Sequence, residues 1–117
     1  MASVKNINTS EEFMDIVSDE SGGKYIFVDF YADWCGPCLK MAPVVDRLAT
    51  EFPKLVYLKV NIDHVRELAN TYQISSIPTF CIFRHGKLKP VDQILGANEQ
   101  KIRGLLAKYS GTQKIRV

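Results

Sequence analysis

Three cysteines in 117 residues are too few, and odd in number, for a disulfide framework. A domain of this length buries enough apolar surface to fold without covalent staples or a structural metal. The cysteines are therefore left for chemistry. No apolar stretch approaches the roughly 18 residues that a membrane-crossing helix requires. Met1 to Asn8 carries no basic segment leading into an apolar run, so no secretory leader is expected and the cytoplasm is the expected compartment. Charge of one sign is lacking too. Fifteen basic and thirteen acidic residues leave a formal charge of +2, too near neutral to argue for a nucleic-acid face. Neither an internal repeat, a low-complexity stretch nor a nucleotide-binding motif occurs, and no membrane partner is expected.

What is present is the balance of a globular protein, 46% hydrophobic and 24% charged. One domain over residues 1–109 is expected, followed by a short tail, 110–117, whose Lys114 and Arg116 make it only slightly basic. Val4 to Ile7 reads as an edge strand. Thr9-x-x-Glu12 reads as a capping box opening a helix with Phe13, Ile16 and Val17 on one face, stopped by Ser21-Gly22-Gly23. Tyr25 to Tyr31 is nearly continuous in apolar and aromatic residues, as in a strand covered on both faces. From Gly36 to Glu51 apolar residues recur at helical steps, with Pro43 inside the pattern predicting a kink. Leu55 to Ile62 reads as a second buried strand, His64 to Tyr72 as a short helix, and Thr79 to Phe83 as a strand ending in a turn at His85-Gly86. Leu88 to Leu95 is expected at a sheet edge because Pro90 cannot donate to an interior ladder. Asn98 is placed to cap a last helix holding Ile102, Leu105, Leu106 and Tyr109. The order β-α-β-α-β-α-β-β-α predicts an α/β fold, a mixed sheet between helices with antiparallel strands at one edge.

Cys35 and Cys38 fall where a strand gives way to a helix. Residues three apart on a helix have Cβ atoms about 5–6 Å apart, and a disulfide needs roughly 3.5–4.5 Å, so a small adjustment of the first turn closes the pair. Gly36 and Pro37 suit that turn, since Pro37 has no N–H to leave orphaned. The unpaired amides and dipole of the helix N-terminus favour a thiolate on Cys35, which lowers its pKa. Cys38, one turn in, lies on the inward stripe and should be shielded. These positions make Cys35 the attacking sulfur and Cys38 the resolving one. A zinc site is the bland alternative, but it needs about four ligands and the remaining candidates, Cys81, His64 and His85, are scattered; no metal is expected.

Asp29 is the only charge in its strand. Spacing alone favours a core aspartate satisfied by local hydrogen bonds, because burying a bare carboxylate costs several kcal/mol. Lys59 likewise interrupts an apolar strand, where lysines usually snorkel to the surface. Cys81 is expected to behave as a small buried hydrophobe. Met41, Phe13, Phe27, Phe30 and Phe80 are expected in the core, Asp33 and Lys40 as solvated charges, and His64 and His85 on the surface at element ends.

The run Val28-Asp29-Phe30-Tyr31-Ala32-Asp33-Trp34-Cys35-Gly36-Pro37-Cys38 resembles the signature of the thioredoxin family. The resemblance continues through Ala42-Pro43, Lys59-Val60-Asn61-Ile62-Asp63, Ile77-Pro78-Thr79-Phe80, Gly86 and Gly96-Ala97, in the same order over nearly the whole chain. It implies a thioredoxin fold, a central mixed sheet of about five strands flanked by four helices. It implies a protein-disulfide reductase working through a redox-active Cys35–Cys38 disulfide. Electrons would come from NADPH through a flavin-containing thioredoxin reductase, so this chain would bind no cofactor of its own. Disulfide-containing proteins would be the substrates and a monomer the working form. The resemblance further implies that Asp29 takes the Cys38 proton, that Lys59 pairs with Asp29, and that the Ile77-Pro78 bond is cis. Trp34, Gly36, Pro37, Ile77, Pro78, Gly96 and Ala97 would then border the substrate.

Some positions depart from the family pattern. Tyr31 stands where many members have tryptophan, Leu39 replaces a frequent lysine, and the hairpin from Gly86 to Gly96 is longer than usual. These departures are expected to touch partner docking more than chemistry. The reading from another class is a binding or scaffold subunit that uses the fold without turnover; the intact cysteine pair counts against it.

Overall fold

The computed structural model describes residues 3–111, so the expectation for the tail falls almost entirely outside the described residues. A five-stranded sheet forms from β1 (Val4–Ile7), β2 (Tyr25–Tyr31), β3 (Val56–Asn61), β4 (Thr79–Arg84) and β5 (Asp92–Leu95), in the order β1-β3-β2-β4-β5. The first three pair in parallel, and β4 runs antiparallel to both β2 and β5. Four helices flank the sheet: α1 (Ser10–Ser18), α2 (Gly36–Glu51), α3 (Arg66–Thr71) and α4 (Glu99–Tyr109). This is the mixed five-strand, four-helix arrangement expected.

Alternation along β2 divides the core in two. Ile26, Val28 and Phe30 join Phe13, Val17, Leu58, Val60, Leu68, Cys81 and Phe83 in one cluster. Phe27 points the other way and packs with residues of α2 and α4, among them Val45, Leu48, Ile102 and Leu106. Residues of odd number on β2 thus face α2, and Asp29 is one of them.

Local chemistry sets the helix ends. Thr9 accepts the Glu12 amide at 3.0 Å, as the capping box requires, but the Glu12 carboxylate reaches the Asn8 amide at 2.9 Å, one residue beyond the cap. Asn98 accepts the Lys101 amide at 3.1 Å to start α4. The α2 helix continues through Pro43 without a break.

Three boundaries differ from expectation by more than one residue. The α1 helix ends at Ser18, before the glycines, because the Asp19 side chain takes the Ser21 amide and starts a 3-10 turn over Glu20–Gly22. The β5 strand begins only at Asp92, two residues past Pro90, which cannot donate to the ladder. The α3 helix is six residues, starting at Arg66, because the Asn61 side chain holds the amides of Asp63 and His64 in a turn first.

His85 is not a simple surface residue. Its Nδ1 lies 3.1 Å from the Asp19 carbonyl, its Nε2 is buried without a partner, and a Cβ on Gly22 would collide with its ring. The turn after β4 folds onto the 3-10 segment, with the Gly86 amide on the Val17 carbonyl at 2.7 Å. His64 is exposed, as expected.

Candidate functional site

Leaving β2, the chain turns through Ala32–Trp34 and enters α2 with Cys35 as its N-cap. The Cys35 amide bonds the Ala32 carbonyl at 3.2 Å, and the Leu39 amide takes the Cys35 carbonyl at 3.0 Å as the helix begins. Gly36 and Pro37 fill the first two helical positions, both exposed. Cys35 and Cys38 are joined as a disulfide with Cα atoms 5.2 Å apart. The Cys38 amide donates to Cys35 Sγ at 3.1 Å. An amide of the helix's first turn thus points at the outer sulfur, the contact that stabilises a thiolate there after reduction.

Cys38 is shielded, as expected, but Cys35 is shielded equally, so exposure does not separate the two cysteines. Both residues are 5% exposed, because Tyr31, Ile62 and Ile77 pack over the pair they form with Ala32. What separates them is position: Cys35 caps the helix and receives its amide, whereas Cys38 lies one turn inside.

Opposite the pair, the Ile77-Pro78 bond is cis, as the resemblance implies. Ile77 touches the cysteine cluster, and its backbone makes no hydrogen bond within the described residues. The Pro78 ring is buried, so it shapes the loop rather than presenting a surface. Its carbonyl accepts the Gly96 amide at 2.9 Å, which brings the start of the Gly96-Ala97 turn beside the loop. Gly96 adopts φ +92°, a left-handed value that side chains disfavour. Ala97 is exposed next to it. Trp34 is 69% exposed on the other flank, with its indole N–H donating to Asp63 at 2.8 Å. The structure therefore joins Cys35, Cys38, Ile77, Pro78 and Gly96 in one contiguous neighbourhood.

Asp29 is 4% exposed, and its Oδ1 has no hydrogen-bond partner. The locally satisfied core aspartate is thereby overturned. Burial pushes its carboxyl up to about 7, opposed by the charge of Lys59 and assisted by that of Asp46 on α2. Lys59 faces Asp29 across the β2–β3 ladder, but the expected ion pair is not made. Its ammonium sits instead 4.5 Å from the centroid of the Tyr31 ring. The aromatic face offers the cation a half-exposed seat, which avoids the desolvation that contact with the buried carboxylate would require.

Two supports of the site lie outside the cysteine motif and carry only weak signals in the sequence. Asn61, 4% exposed, holds the turn after β3 through the Asp63 and His64 amides. Asp63 then anchors the Trp34 indole. An asparagine at a strand end with Asp63 and His64 two and three positions on is a turn signal, but the tie from Asp63 to Trp34 across 29 positions is visible only in the fold. Cys81 is 1% exposed in β4, and burial pushes its thiol up to about 12. No helix among the described residues is long and apolar enough to cross a membrane. Nor do the described residues include a group of His, Cys, Asp and Glu able to hold a metal ion.

Residues 4–108 match the family model described as Thioredoxin. The chain is 36% identical over 107 residues to Thioredoxin 1 of Plasmodium falciparum, covering 92% of this chain and 98% of that one. It is 38% identical over 117 residues to a thioredoxin of Neurospora crassa, covering 95% of this chain and 90% of the other. A solved structure of Plasmodium falciparum thioredoxin superposes with a TM-score of 0.81 at 37% identity, covering 90% of this chain and 98% of that one.

Proposed function

Because the chain belongs to the thioredoxin family and is on that footing a thiol–disulfide oxidoreductase, a protein-disulfide reductase, we propose how its residues divide the work. The reduced Cys35 thiolate attacks one sulfur of a substrate disulfide, and the other substrate sulfur leaves as a thiolate. Cys38 gives up its proton and attacks Cys35 Sγ. The mixed disulfide breaks, the second substrate sulfur is released, and the Cys35–Cys38 disulfide forms. Two electrons have passed to the substrate. The observation that carries this assignment is the Cys38 amide directed at Cys35 Sγ at the mouth of α2.

Asp29 acts as the acceptor of the Cys38 proton. A carboxyl near 7 exchanges protons readily at neutral pH, and its bare Oδ1 leaves it no competing hydrogen bond at that atom. Substrate binds as an extended segment against the unpaired Ile77 backbone, between Trp34 on one side and Gly96-Ala97 on the other, with Gly36 and Pro37 at the rim. Pro78 sets the loop's path. Lys59 tunes Asp29 through its charge.

Family membership supports disulfide-containing substrates and a reductase partner in general terms. We further infer a flavin-containing thioredoxin reductase supplying electrons from NADPH, a monomeric working form and a cytoplasmic location. An insulin-reduction assay tests the whole reading, with Cys35→Ser as control. Turnover should fall to background in the variant, and Cys38→Ser should accumulate a mixed disulfide on Cys35. A wild-type rate equal to that of Cys35→Ser would leave the non-catalytic binding subunit standing.

A further inference from the structure

The Lys59 ammonium stands over the Tyr31 ring, not on the carboxyl it faces across the ladder. Tyr31 is half-buried and packs on one side against the Cys35–Cys38 cluster. Across the β2–β3 ladder its partner is Asn61, whose side chain interacts with the phenol oxygen. Asn61 is itself fixed by two backbone amides, so the ring has a tethered edge. Asp29, Tyr31 and Lys59 lie on the same side of the sheet, two residues or one strand apart.

We propose that Tyr31 is a positioning residue for the redox reaction, its ring holding the Lys59 ammonium against an aromatic face and off the buried Asp29 carboxyl, so that Asp29 stays free to take up and return a proton. The proposal rests on the reading of Asp29 as proton acceptor. An ammonium bonded directly to the carboxylate would favour its ionised form and weaken it as a base. An ammonium over the ring still contributes its field, enough to oppose burial without cancelling it. The charges acting on Asp29 come from the elements packed around it. Lys59 comes from β3 and Asp46 from α2, while on β2 itself the Asp29 charge acts on the Tyr31 phenol and raises it. The facing residue on β4 is the uncharged Phe80. The aromatic residue before Ala32 thus sets where the neighbouring lysine rests, and with it the proton affinity of the buried acid.

The experiment is a carbon-13 NMR titration of the Asp29 carboxyl in the oxidised protein, in wild type, Tyr31→Phe and Tyr31→Leu, each with Lys59 intact and as Lys59→Met. Tyr31→Phe keeps the aromatic face and should leave the titration in place. Tyr31→Leu removes it, releases Lys59 toward Asp29, and should lower the carboxyl's proton affinity about tenfold. In the Lys59→Met background the same Tyr31→Leu change should do nothing. An unmoved titration in Tyr31→Leu overturns the proposal. So does an equal fall without Lys59, because water entry would then be the cause. Tyr31→Met replaces Tyr31→Leu should the latter not fold. Insulin reduction by Asp29→Asn is read separately: a wild-type rate at every pH would end the proton-transfer role while leaving the titration result interpretable.

Discussion

The mouth of α2 and the middle of β4 each hold a buried cysteine, and the two thiols are placed for opposite ends of thiol chemistry. Cys35 and Cys81 are 5% and 1% exposed, so burial alone does not distinguish them. Cys81 lies among Phe13, Val28, Leu68 and Phe83, with no charge or dipole end to stabilise a thiolate, and burial pushes it up to about 12. Cys35 caps a helix and receives an amide of its first turn. With both sulfurs buried, the difference in reactivity follows from which polar groups point at each of them.

Alkylation of the reduced protein tests that contrast most severely. At pH 7 a thiol near 12 is ionised on the order of a thousandfold less than a free cysteine, before its burial is counted. Iodoacetamide should label Cys35 first and Cys81 only on unfolding, as read by peptide mass. Prompt labelling of Cys81 in the native state would break the comparison.

The same logic applied to Asp29 has a sign that can be checked. Its carboxyl is raised in the folded protein from an ordinary value of 3.8 to about 7. The folded state therefore binds the proton more tightly than the unfolded chain does. Stability from this group is fully present below about pH 4 and is lost as pH rises toward 7, after which the loss is constant. Asp29→Asn removes the buried charge. It should be more stable than wild type at pH 8 by a few kcal/mol, with the difference vanishing near pH 4, measured by urea unfolding at both pH values. If Asp29 takes the Cys38 proton, mixed-disulfide resolution in wild type should rise through pH 7, and the variant should lose that rise. Greater stability with poorer turnover would mark Asp29 as kept for chemistry, in contrast to the apolar residues of the other sheet face.

Most of the fold was legible because its signals are local. The apolar run of β2, the three- and four-residue steps of α2, and the Thr9 and Asn98 caps each act within a few residues. The cysteine pair was legible for the same reason, since its spacing and its place before a helix are written in one short run. What failed were the pairings between distant segments. Lys59 was expected on Asp29, and the competition from the Tyr31 ring depends on the depth of each side chain beside the ladder, which sequence does not carry. His85 was expected at the surface, and it is half-buried, its ring packed where Gly22, 63 residues earlier, lacks a Cβ. The proximity of Ile77 to the cysteines came from family resemblance, not from any pattern in its own neighbourhood.

A milder test concerns what Cys81 does contribute. Cys81→Ala deletes one heavy atom from a packed cluster and should cost about 1 kcal/mol, the scale of removing one buried methyl group. Insulin turnover at 25 °C should be unchanged, because the side chain faces α1 and α3 while the redox pair lies on the α2 side of the sheet. A slowed variant would mean that the two faces communicate through β2.

The smallest expected effect is at Trp34, where the comparison concerns two ends of one loop. Cys35 is fixed by helix geometry, while the exposed indole is held chiefly by a single hydrogen bond to Asp63. Trp34→Phe removes that donor from a solvated site, so folding stability should change by less than about 1 kcal/mol. The ring would then be freer to leave its place beside the cysteines. Substrate encounter should suffer before chemistry does: KM for insulin should rise severalfold with kcat nearly unchanged, because the attack and resolution steps we propose fall to the sulfurs and Asp29. Asp63→Asn, which keeps an acceptor for the indole, should behave as wild type. A fall in kcat in Trp34→Phe would show instead that the indole helps to shape the α2 entrance, and the boundary between docking surface and reacting centre would have to move to include it.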